Sequence, residues 1–158
     1  MTRVACEPMT AATRDGARRL LAAFLASDAH YRASAARYGD GGTAALDRAL
    51  DLLLARPELG FAWLAREGDD VVGACVVSYA ISTSRGAVVA KLDDVTVDAG
   101  RVGQGIGGAM LDALARHLAA RGVGRIDTAC HRDNEAAWRF YARHGFRPLD
   151  EERLARIL

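Results

Sequence analysis

A strand–helix–strand pattern between residues 88 and 131 places the strongest constraint on the fold. The run GAVVAKLDDVTV is rich in β-branched residues, and GIGGAMLDALARHLAARG then repeats apolar residues with a helical period. GRIDTACH returns to a strand pattern. Two strands joined by a crossover helix pair in parallel, because the helix carries the chain back along the sheet. The sequence therefore predicts a parallel pair between residues 88–97 and 125–131.

The rest of the chain predicts helices and antiparallel strands around this pair. TRVACEP reads as a strand, and two helices follow over TAATRDGARRLLAAFLAS and TAALDRALDLLLARPE, separated by the loop YGDGG. GFAWLARE, VVGACVVSYAIS and the next run form a meander with short turns. NEAAWRFYARHG is a helix capped by Asn134, and FRPLDEERLARIL is expected to add one or two strands. The order β-α-α-β-β-β-α-β-α-β predicts an α/β fold with a mixed, mostly antiparallel sheet of six to seven strands and helices on both faces.

Length and charge limit the classes of function. A chain of 158 residues, 51% of them hydrophobic, is expected to form a single domain over residues 1–158. The formal net charge of +1 disfavours nucleic-acid or membrane-surface partners. No apolar run reaches the ~20 residues of a membrane span, and the three cysteines are widely spaced and odd in number. We expect a cytoplasmic protein without a metal site.

The run RVGQGIGGAML opens the helix after the fourth predicted strand with four glycines. Gly103, Gly105 and Gly108 match the dinucleotide fingerprint G-x-G-x-x-G, but that turn belongs in the first βαβ unit of its fold, with an acid at the end of the next strand. Asp127 lies inside its predicted strand, and no Lys-Ser/Thr pair follows the glycines as in a nucleotide triphosphate loop. Two explanations remain open: phosphate binding at a helix N-terminus, or tight packing of the helix against the sheet.

In order and spacing, LDDVTV, RVGQGIGGAML and NEAAWRFYARHGF together resemble the GNAT superfamily of acyl-CoA-dependent N-acetyltransferases. The family signature Arg/Gln-x-x-Gly-x-Gly/Ala falls on residues 102–107, where Val102 replaces the expected Arg or Gln. The resemblance implies the GNAT fold, in which the sheet is splayed at its parallel pair. Arg101, which precedes Val102, is expected either to reach a phosphate of the cofactor or to lie in solvent.

The resemblance also implies acetyl-CoA as co-substrate and a set of residues that bind it. In this family the glycine loop holds the pyrophosphate, a strand before it contacts the pantetheine arm and the thioester carbonyl, and an Asn caps the last helix. The matching positions here are Val95, Val97, Gly103, Gln104, Gly105, Ile106, Gly107, Gly108 and Asn134.

Tyr141 and Asp93 are the expected catalytic residues. Tyr141 matches the tyrosine that donates a proton to the departing thiolate in many members of the family. Asp93 matches a position where small-amine acetyltransferases carry a Glu that deprotonates the amine, although His131 or water could take that role. Helical spacing puts Asn134, Trp138 and Tyr141 on one stripe, with Trp138 expected in the core. Strand alternation predicts Asp93, Val95 and Val97 on one face of the sheet.

The resemblance implies transfer of an acetyl group to a primary amine of a small molecule or peptide, by direct attack in a ternary complex. Val102 and the lack of a decisive base leave an alternative, a catalytically weak acyl-CoA-binding or sensor module. The acceptor pocket of the family is built by residues 25–60, where His30 and Tyr31 are expected in a variable loop. No motif in that segment identifies the acceptor, and nothing in the sequence decides whether the chain forms the homodimer that is common in the family.

Overall fold

A computed structural model describes residues 3–38 and 41–158 of the chain. Gly39 and Asp40, in the predicted loop YGDGG, lie outside the described residues, as do Met1 and Thr2. The elements in chain order are β1 (Ala5–Pro8), α1 (Arg14–Ser27), α2 (Ala29–Tyr38), α3 (Gly42–Ala55), β2 (Gly60–Glu67), β3 (Asp70–Ser82), β4 (Ala87–Val97), α4 (Ile106–Ala119), β5 (Ile126–Thr128) and α5 (Glu135–Arg143). A short 3₁₀ turn, Ala99–Arg101, precedes α4.

The strands form one mixed sheet in the order β1-β2-β3-β4-β5. The first three pairings are antiparallel, as the predicted meander requires, and β4 pairs with β5 in parallel. The α4 helix makes the crossover between the two parallel strands. The predicted mixed, mostly antiparallel sheet and its parallel pair are therefore confirmed.

Helices cover both faces of the sheet, also as predicted. Leu20 and Leu21 of α1 and Leu46 and Leu50 of α3 pack on one face, against Ala62, Leu64, Val71 and Ala74 of the sheet. On the other face, Met110, Leu111, Leu114 and Leu118 of α4 pack against Trp63, Val72, Cys75, Val77, Ala90 and Leu92. The Trp63 indole donates a hydrogen bond to the Met110 carbonyl (3.1 Å), which ties α4 to the centre of the sheet. Within the described residues no helix combines the length and apolar character needed to cross a membrane.

The sheet has five strands over the described residues, rather than the six to seven predicted. β5 ends at Thr128 instead of reaching residue 131, and no strand follows α5. Residues 147–158 are exposed. Pro148 has no N–H to donate to a ladder, and Asp150 has a φ of 58°, which interrupts an extended backbone. The prediction of a terminal strand was therefore wrong.

The α2 helix was missed by the sequence analysis, which placed His30 and Tyr31 in a loop. Asp28 caps this helix, since its Oδ1 accepts a hydrogen bond from the Tyr31 N–H (2.6 Å). The segment has no clear apolar stripe, so hydrophobic periodicity gave no signal for it. The cap and several alanines nevertheless favour a helix there.

The two faces of α3 provide a matched test of the packing. Leu50 is fully buried against the sheet, whereas Leu52 is 58% exposed. We expect Leu50→Ala to lower the free energy of unfolding by about 2–5 kcal/mol, because it removes buried methyl groups and leaves a cavity. Leu52→Ala should change it by about 0.5 kcal/mol or less. Urea unfolding followed by circular dichroism measures both, and equal losses would contradict the assignment of the buried face.

Candidate functional site

The two parallel strands stay together over only a short stretch. β4 pairs with β5 from Ala90 opposite Ile126 to Leu92 opposite Thr128. At this last pair the Thr128 hydroxyl donates to the Leu92 carbonyl (2.9 Å). Beyond it, residues 93–97 of β4 have no strand partner on that side within the described chain. We call this open edge of β4 the slot.

A β-bulge interrupts β4 where the slot begins. Asp93 lies opposite Val76 and Thr96 lies opposite Ala74, so β4 carries one more residue than β3 in this interval. Asp94 has a φ of 54°, a left-handed conformation that is uncommon for a residue with a side chain.

The bulge changes which residues of β4 share a face. Cross-strand partners point to the same side of a sheet. Asp93 therefore faces α1 and α3 with Val76, whereas Val97 faces α4 with its partner Gly73. Val95 also packs against the core on the α4 face. The predicted common face of Asp93, Val95 and Val97 was wrong, because simple alternation ignores the extra residue.

The Val97 amide points toward the slot. The Asp98 N–H donates to the carbonyl of Val72 in β3 (2.9 Å). Successive amides of an extended chain face opposite edges, so the Val97 amide faces away from β3. On that edge β5 no longer pairs with β4. A ligand in the slot would therefore meet a backbone donor at Val97.

Gly103 and Gly105 form an open turn before α4. Their φ angles are 83° and 81°, and no atom lies within 4 Å of the place where a Cβ would stand on either residue. Gly105 is the N-cap of α4 and has no side chain to cover the N–H groups of the first helical turn. Those amides and the helix dipole favour an anion at this end.

Gly107 and Gly108 allow α5 to approach α4. A Cβ on Gly107 would stand 3.3 Å from the Phe140 ring, and one on Gly108 would stand 2.8 Å from the His144 imidazole. Gly103 and Gly105 therefore leave the loop open, whereas Gly107 and Gly108 permit tight packing. The close partner is mainly α5 and the residue that follows it, rather than the sheet that was predicted.

Ile106 and Gln104, the other two positions of the loop, stabilise its structure. Ile106 is buried in the core, so its side chain anchors the start of α4. The Gln104 N–H is already engaged, since it donates to the Arg101 carbonyl (3.4 Å). The amides of the first helical turn are therefore the better anion donors.

Neither Val102 nor Arg101 offers a free polar group at the loop. The Val102 side chain is 71% exposed. Arg101 forms an ion pair with Glu67 at the end of β2, so the expectation of a solvent-facing Arg101 is wrong. The other Glu67 oxygen, Oε1, is buried and has no hydrogen-bond partner among the described residues. The guanidinium thus neutralises a partly buried acid.

Tyr141 lies on α5 and packs against the core on the α4 face, with its ring 5.2 Å from that of Phe146. Burial raises the pKa of the Tyr141 phenol to about 12, and a hydrogen bond with the Thr128 hydroxyl acts in the opposite direction. Tyr141 is therefore protonated at neutral pH and can only donate a proton. Because Thr128 also holds the last parallel pair together, Tyr141 is located where the slot begins.

Asn134 has the predicted capping role. Its Oδ1 accepts a hydrogen bond from the Ala137 N–H (3.1 Å) at the start of α5. Trp138 is 37% exposed and donates its indole N–H to the His131 carbonyl (3.1 Å), so its predicted place in the core was wrong. The half-buried side of α5 and its C-cap is formed by Ala137, Phe140, Tyr141 and His144, and the exposed Trp138 lies outside this stripe.

Asp93 and His131 have different surroundings. The Asp93 carboxylate forms ion pairs with Lys91 (3.1 Å) and with Arg153 of the C-terminal segment (3.9 Å). The His131 ring lies beyond β5, 5.4 Å from the ring of His30 in α2. This ring contact brings α2 next to the loop that follows β5.

Asp94 is a residue for which the sequence pattern predicts no role. Burial, reinforced by the negative charge of Asp93, raises the pKa of the Asp94 carboxyl to about 6. The available sequence signal was the pair of adjacent acids in a central strand, which is costly unless one of them meets a cleft. That signal does not show which of the two acids, Asp93 or Asp94, meets the cleft.

A cavity of about 500 Å³ opens between α1 and the end of β4. Its lining includes Phe24, Asp28, Thr96, Val97 and Asp98, and it therefore adjoins the slot. A larger cavity of about 640 Å³ is lined by Tyr79 and Val88, at the opposite end of β4. Only the first of the two is next to the residues described above.

A mixed sheet whose parallel strands separate beside a glycine-rich helix N-terminus is the arrangement that the resemblance to acetyltransferases implies. The chain belongs to the acetyltransferase (GNAT) family, whose model matches residues 14–146. Members of this family transfer acyl groups and generally use acetyl-CoA. A comparison with curated proteins finds no match.

Solved structures share the fold over nearly the whole chain. A transcriptional regulator from Bacillus halodurans C-125 is 22% identical, with a TM-score of 0.78 and coverage of 99% of this chain and 100% of that one. A ribosomal-protein-alanine N-acetyltransferase from Brucella melitensis biovar Abortus 2308 is 16% identical, with a TM-score of 0.75 and coverage of 98% and 99%. Glucosamine-6-phosphate N-acetyltransferase from Arabidopsis thaliana is 14% identical, with a TM-score of 0.69 and coverage of 98% of each chain. At these identities the likeness establishes the fold alone.

The raised pKa of Asp94 predicts how the free energy of unfolding depends on pH. Its pKa is about 6 in the folded chain, above its ordinary value of 3.8, so between these values the folded chain binds the additional proton. The contribution of Asp94 to stability therefore falls as the pH rises through this interval. Asp94→Asn removes the buried charge, and Asn also tolerates a left-handed φ. We expect this variant to exceed the wild type by on the order of 1–3 kcal/mol in free energy of unfolding at pH 7.

The difference should disappear at about pH 3, well below the ordinary pKa of 3.8, where residue 94 is neutral in both variants in the folded and the unfolded chain. Urea unfolding at the two pH values measures it. A variant less stable than the wild type at pH 7 would show that the Asp94 carboxylate stabilises the fold.

Proposed function

We propose that the protein is an N-acetyltransferase that moves an acetyl group from acetyl-CoA to a primary amine of a small molecule or peptide. A single domain would carry out the reaction, by direct attack of the amine. The observation that carries the proposal is the slot, which has a backbone donor on one side, Tyr141 at its start and an anion-binding helix end beyond it.

The glycine loop fits the anionic part of acetyl-CoA. The open turn at Gly103 and Gly105 and the first-turn amides of α4 would hold the pyrophosphate, with Gln104 and Ile106 shaping the loop. Val95, Val97 and Asn134 would contact the pantetheine arm along β4 and at the start of α5. When bound, acetyl-CoA supplies the acetyl group as a thioester.

Two residues of the chain would act on the thioester itself. The Val97 N–H would donate to the carbonyl oxygen, where negative charge develops during attack. The Tyr141 hydroxyl would donate its proton to the departing sulfur. A thiolate leaves more readily when it is protonated, and the pKa of about 12 keeps Tyr141 in its donor form.

Asp93 would bind the amine as an ammonium. Its carboxylate is within ion-pair distance of Lys91 and Arg153, so an incoming ammonium would exchange with these cations. The adjoining cavity would take the remainder of the acceptor, since its volume lies in the usual range for small-molecule sites. Two proteins of the same fold carry amine acceptors in their names, an alanine of a ribosomal protein and glucosamine-6-phosphate.

A second candidate is a module that binds acyl-CoA without turning it over. Val102 and Arg101 favour it, because one is apolar where the family has Arg or Gln and the other is already paired with Glu67. Such a module would bind acetyl-CoA but release no free thiol with any amine.

Tyr141→Phe tests the reaction directly. The variant keeps the ring that contacts Phe146 but loses the hydroxyl, so kcat should fall by about 10²-fold or more. The assay follows free thiol from acetyl-CoA with polyamines, amino acids, aminoglycosides and peptide N-termini as acceptors. Tyr79→Phe, on β3 opposite Ala90 and outside the slot, is the matched control and should keep full activity. Unchanged kcat in Tyr141→Phe would remove Tyr141 from the proton-donor role.

Gly105→Ala tests the anion-binding loop. Ala at a φ of 81° is strained, so the turn should shift and the KM for acetyl-CoA should rise about tenfold or more with a smaller change in kcat. Gly122→Ala places the same strain, at a φ of 78°, beyond the opposite end of α4 and provides the control. Equal KM values in the two variants would indicate that the loop does not hold acetyl-CoA.

A further inference from the structure

Lys91 is the only lysine in the chain, and its side chain is 40% exposed. It lies in β4 opposite Asp127 of β5, directly before the last parallel pair. Its Nζ forms an ion pair with Asp93 Oδ2 (3.1 Å). The side chain therefore runs along β4 toward the slot and holds a primary amine at the residue where the slot begins.

The Lys91 side chain lies on the face of the sheet from which an acceptor is proposed to enter. Lys91 is opposite Ser78 of β3, and Asp93 is opposite Val76. Val76 packs with the residues of α1 and α3, and side chains two positions apart on a strand share a face. The cavity of about 500 Å³ beside α1 opens on this same side of the sheet.

The Asp93 carboxylate links this amine to Tyr141. Burial raises the pKa of the Tyr141 phenol to about 12, and the negative charge of Asp93 acts in the same direction. The phenol forms a hydrogen bond with the Thr128 hydroxyl, which donates to the Leu92 carbonyl. Leu92 is the residue between Lys91 and Asp93. An amine and a proton donor therefore meet where β4 and β5 still pair, which is the closed end of the slot.

Acetyl-CoA bound as proposed would extend toward this closed end. The anion-binding start of α4 follows β4 in the chain, so it lies beyond the open end of the slot. A cofactor whose phosphates bind there extends back along β4, past Val97, in the direction of Leu92. The Lys91 stem has four flexible methylene groups, so its amine can leave Asp93 and enter the slot from the opposite end.

We propose that Lys91 is a self-acetylation site, at which the chain transfers the acetyl group of bound acetyl-CoA to its own Nζ. This inference rests on the proposed function and extends it to an acceptor within the chain. The Lys91 ammonium gives one proton to solvent, and the neutral nitrogen then forms the C–N bond while the C–S bond of the thioester breaks. Tyr141 gives its proton to the sulfur, and the second proton lost by nitrogen, carried by water, restores the phenol. The products are free CoA and an amide at residue 91.

Self-acetylation changes the charge at the mouth of the slot. The amide is neutral, so the ion pair between Lys91 and Asp93 is lost. Asp93 keeps its ion pair with Arg153 (3.9 Å), but one of the cations that compete with an acceptor for its carboxylate is removed. Arginine cannot take part in this reaction, because its guanidinium stays protonated. Lys91→Arg therefore keeps a positive charge at residue 91 and removes the acetylation site.

The experiment incubates the full chain with acetyl-CoA and no other amine, and follows residue 91 by mass spectrometry. Trypsin cleaves after lysine but not after acetyl-lysine, so acetylation replaces the fragments 86–91 and 92–101 by one fragment, 86–101. We expect Lys91 to be acetylated about tenfold or more faster in the folded chain than in urea, because folding holds amine and thioester together. An excess of CoA, which fills the slot without an acetyl group, should slow only the folded chain.

Three variants complete the test. Lys91→Arg should abolish the thiol release that accompanies acetylation. Tyr141→Phe should slow acetylation of Lys91 by about tenfold or more, whereas Tyr79→Phe, outside the slot, should match the wild type. Circular dichroism reports whether each variant is folded, and inhibition by CoA tests the proposal on the wild type alone.

Equal rates in the folded and unfolded chain, or no inhibition by CoA, would mean that acetyl-CoA reacts from solution, and the proposal is overturned. If Lys91 stays unmodified while amines of the panel release thiol, the proposal is overturned and the acetyltransferase activity stands. A wild type that releases no thiol with any amine and leaves Lys91 unmodified overturns the proposed function itself.

Discussion

The structure depends on β4 having different neighbours along its two edges. On one side it pairs with β3 up to Val97, and on the other it pairs with β5 only as far as Leu92. The hydrogen bond from the Thr128 hydroxyl to the Leu92 carbonyl is the last connection before the strands separate. From that point the backbone of β4 offers its donors to a ligand instead of to a strand. The location of the slot and the direction of the Val97 amide follow from this separation.

Much of the fold follows from patterns within short segments. The crossover between β4 and β5 could be predicted because a helical repeat lies between two runs of β-branched residues. The Asn134 cap could also be predicted, since an Asn before a helix is a local signal. The bulge could not, because Asp93 and Asp94 read as continuous alternation and only the register against Ala74 and Val76 shows the additional residue. That one residue decides which face each acid of β4 occupies.

The general location of the candidate site could be predicted from the sequence, but the role of each residue in it could not. The glycine run predicted either an open loop or close packing of the helix. Both occur: the glycines before Ile106 form the open turn, and those after it pack closely against neighbouring side chains. The difference depends on α5, which lies about 30 residues further along the chain. Trp138 was misplaced for a similar reason, since the stripe of a short helix is set by what it packs against. Arg101 finds its partner, Glu67, in a distant strand that no local pattern connects to it.

The contact between Gly108 and His144 joins the two parts of the site. His144 follows α5, the helix that carries Tyr141, and Gly108 lies in the first turn of α4, where the anion-binding amides are. A side chain at position 108 would meet the imidazole, so the imidazole or one of the two helices would have to shift. We therefore expect a side chain at position 108 to fit only where the side chain at position 144 moves or is smaller. A change at both positions would alter the fit between the glycine loop and the helix that carries Tyr141.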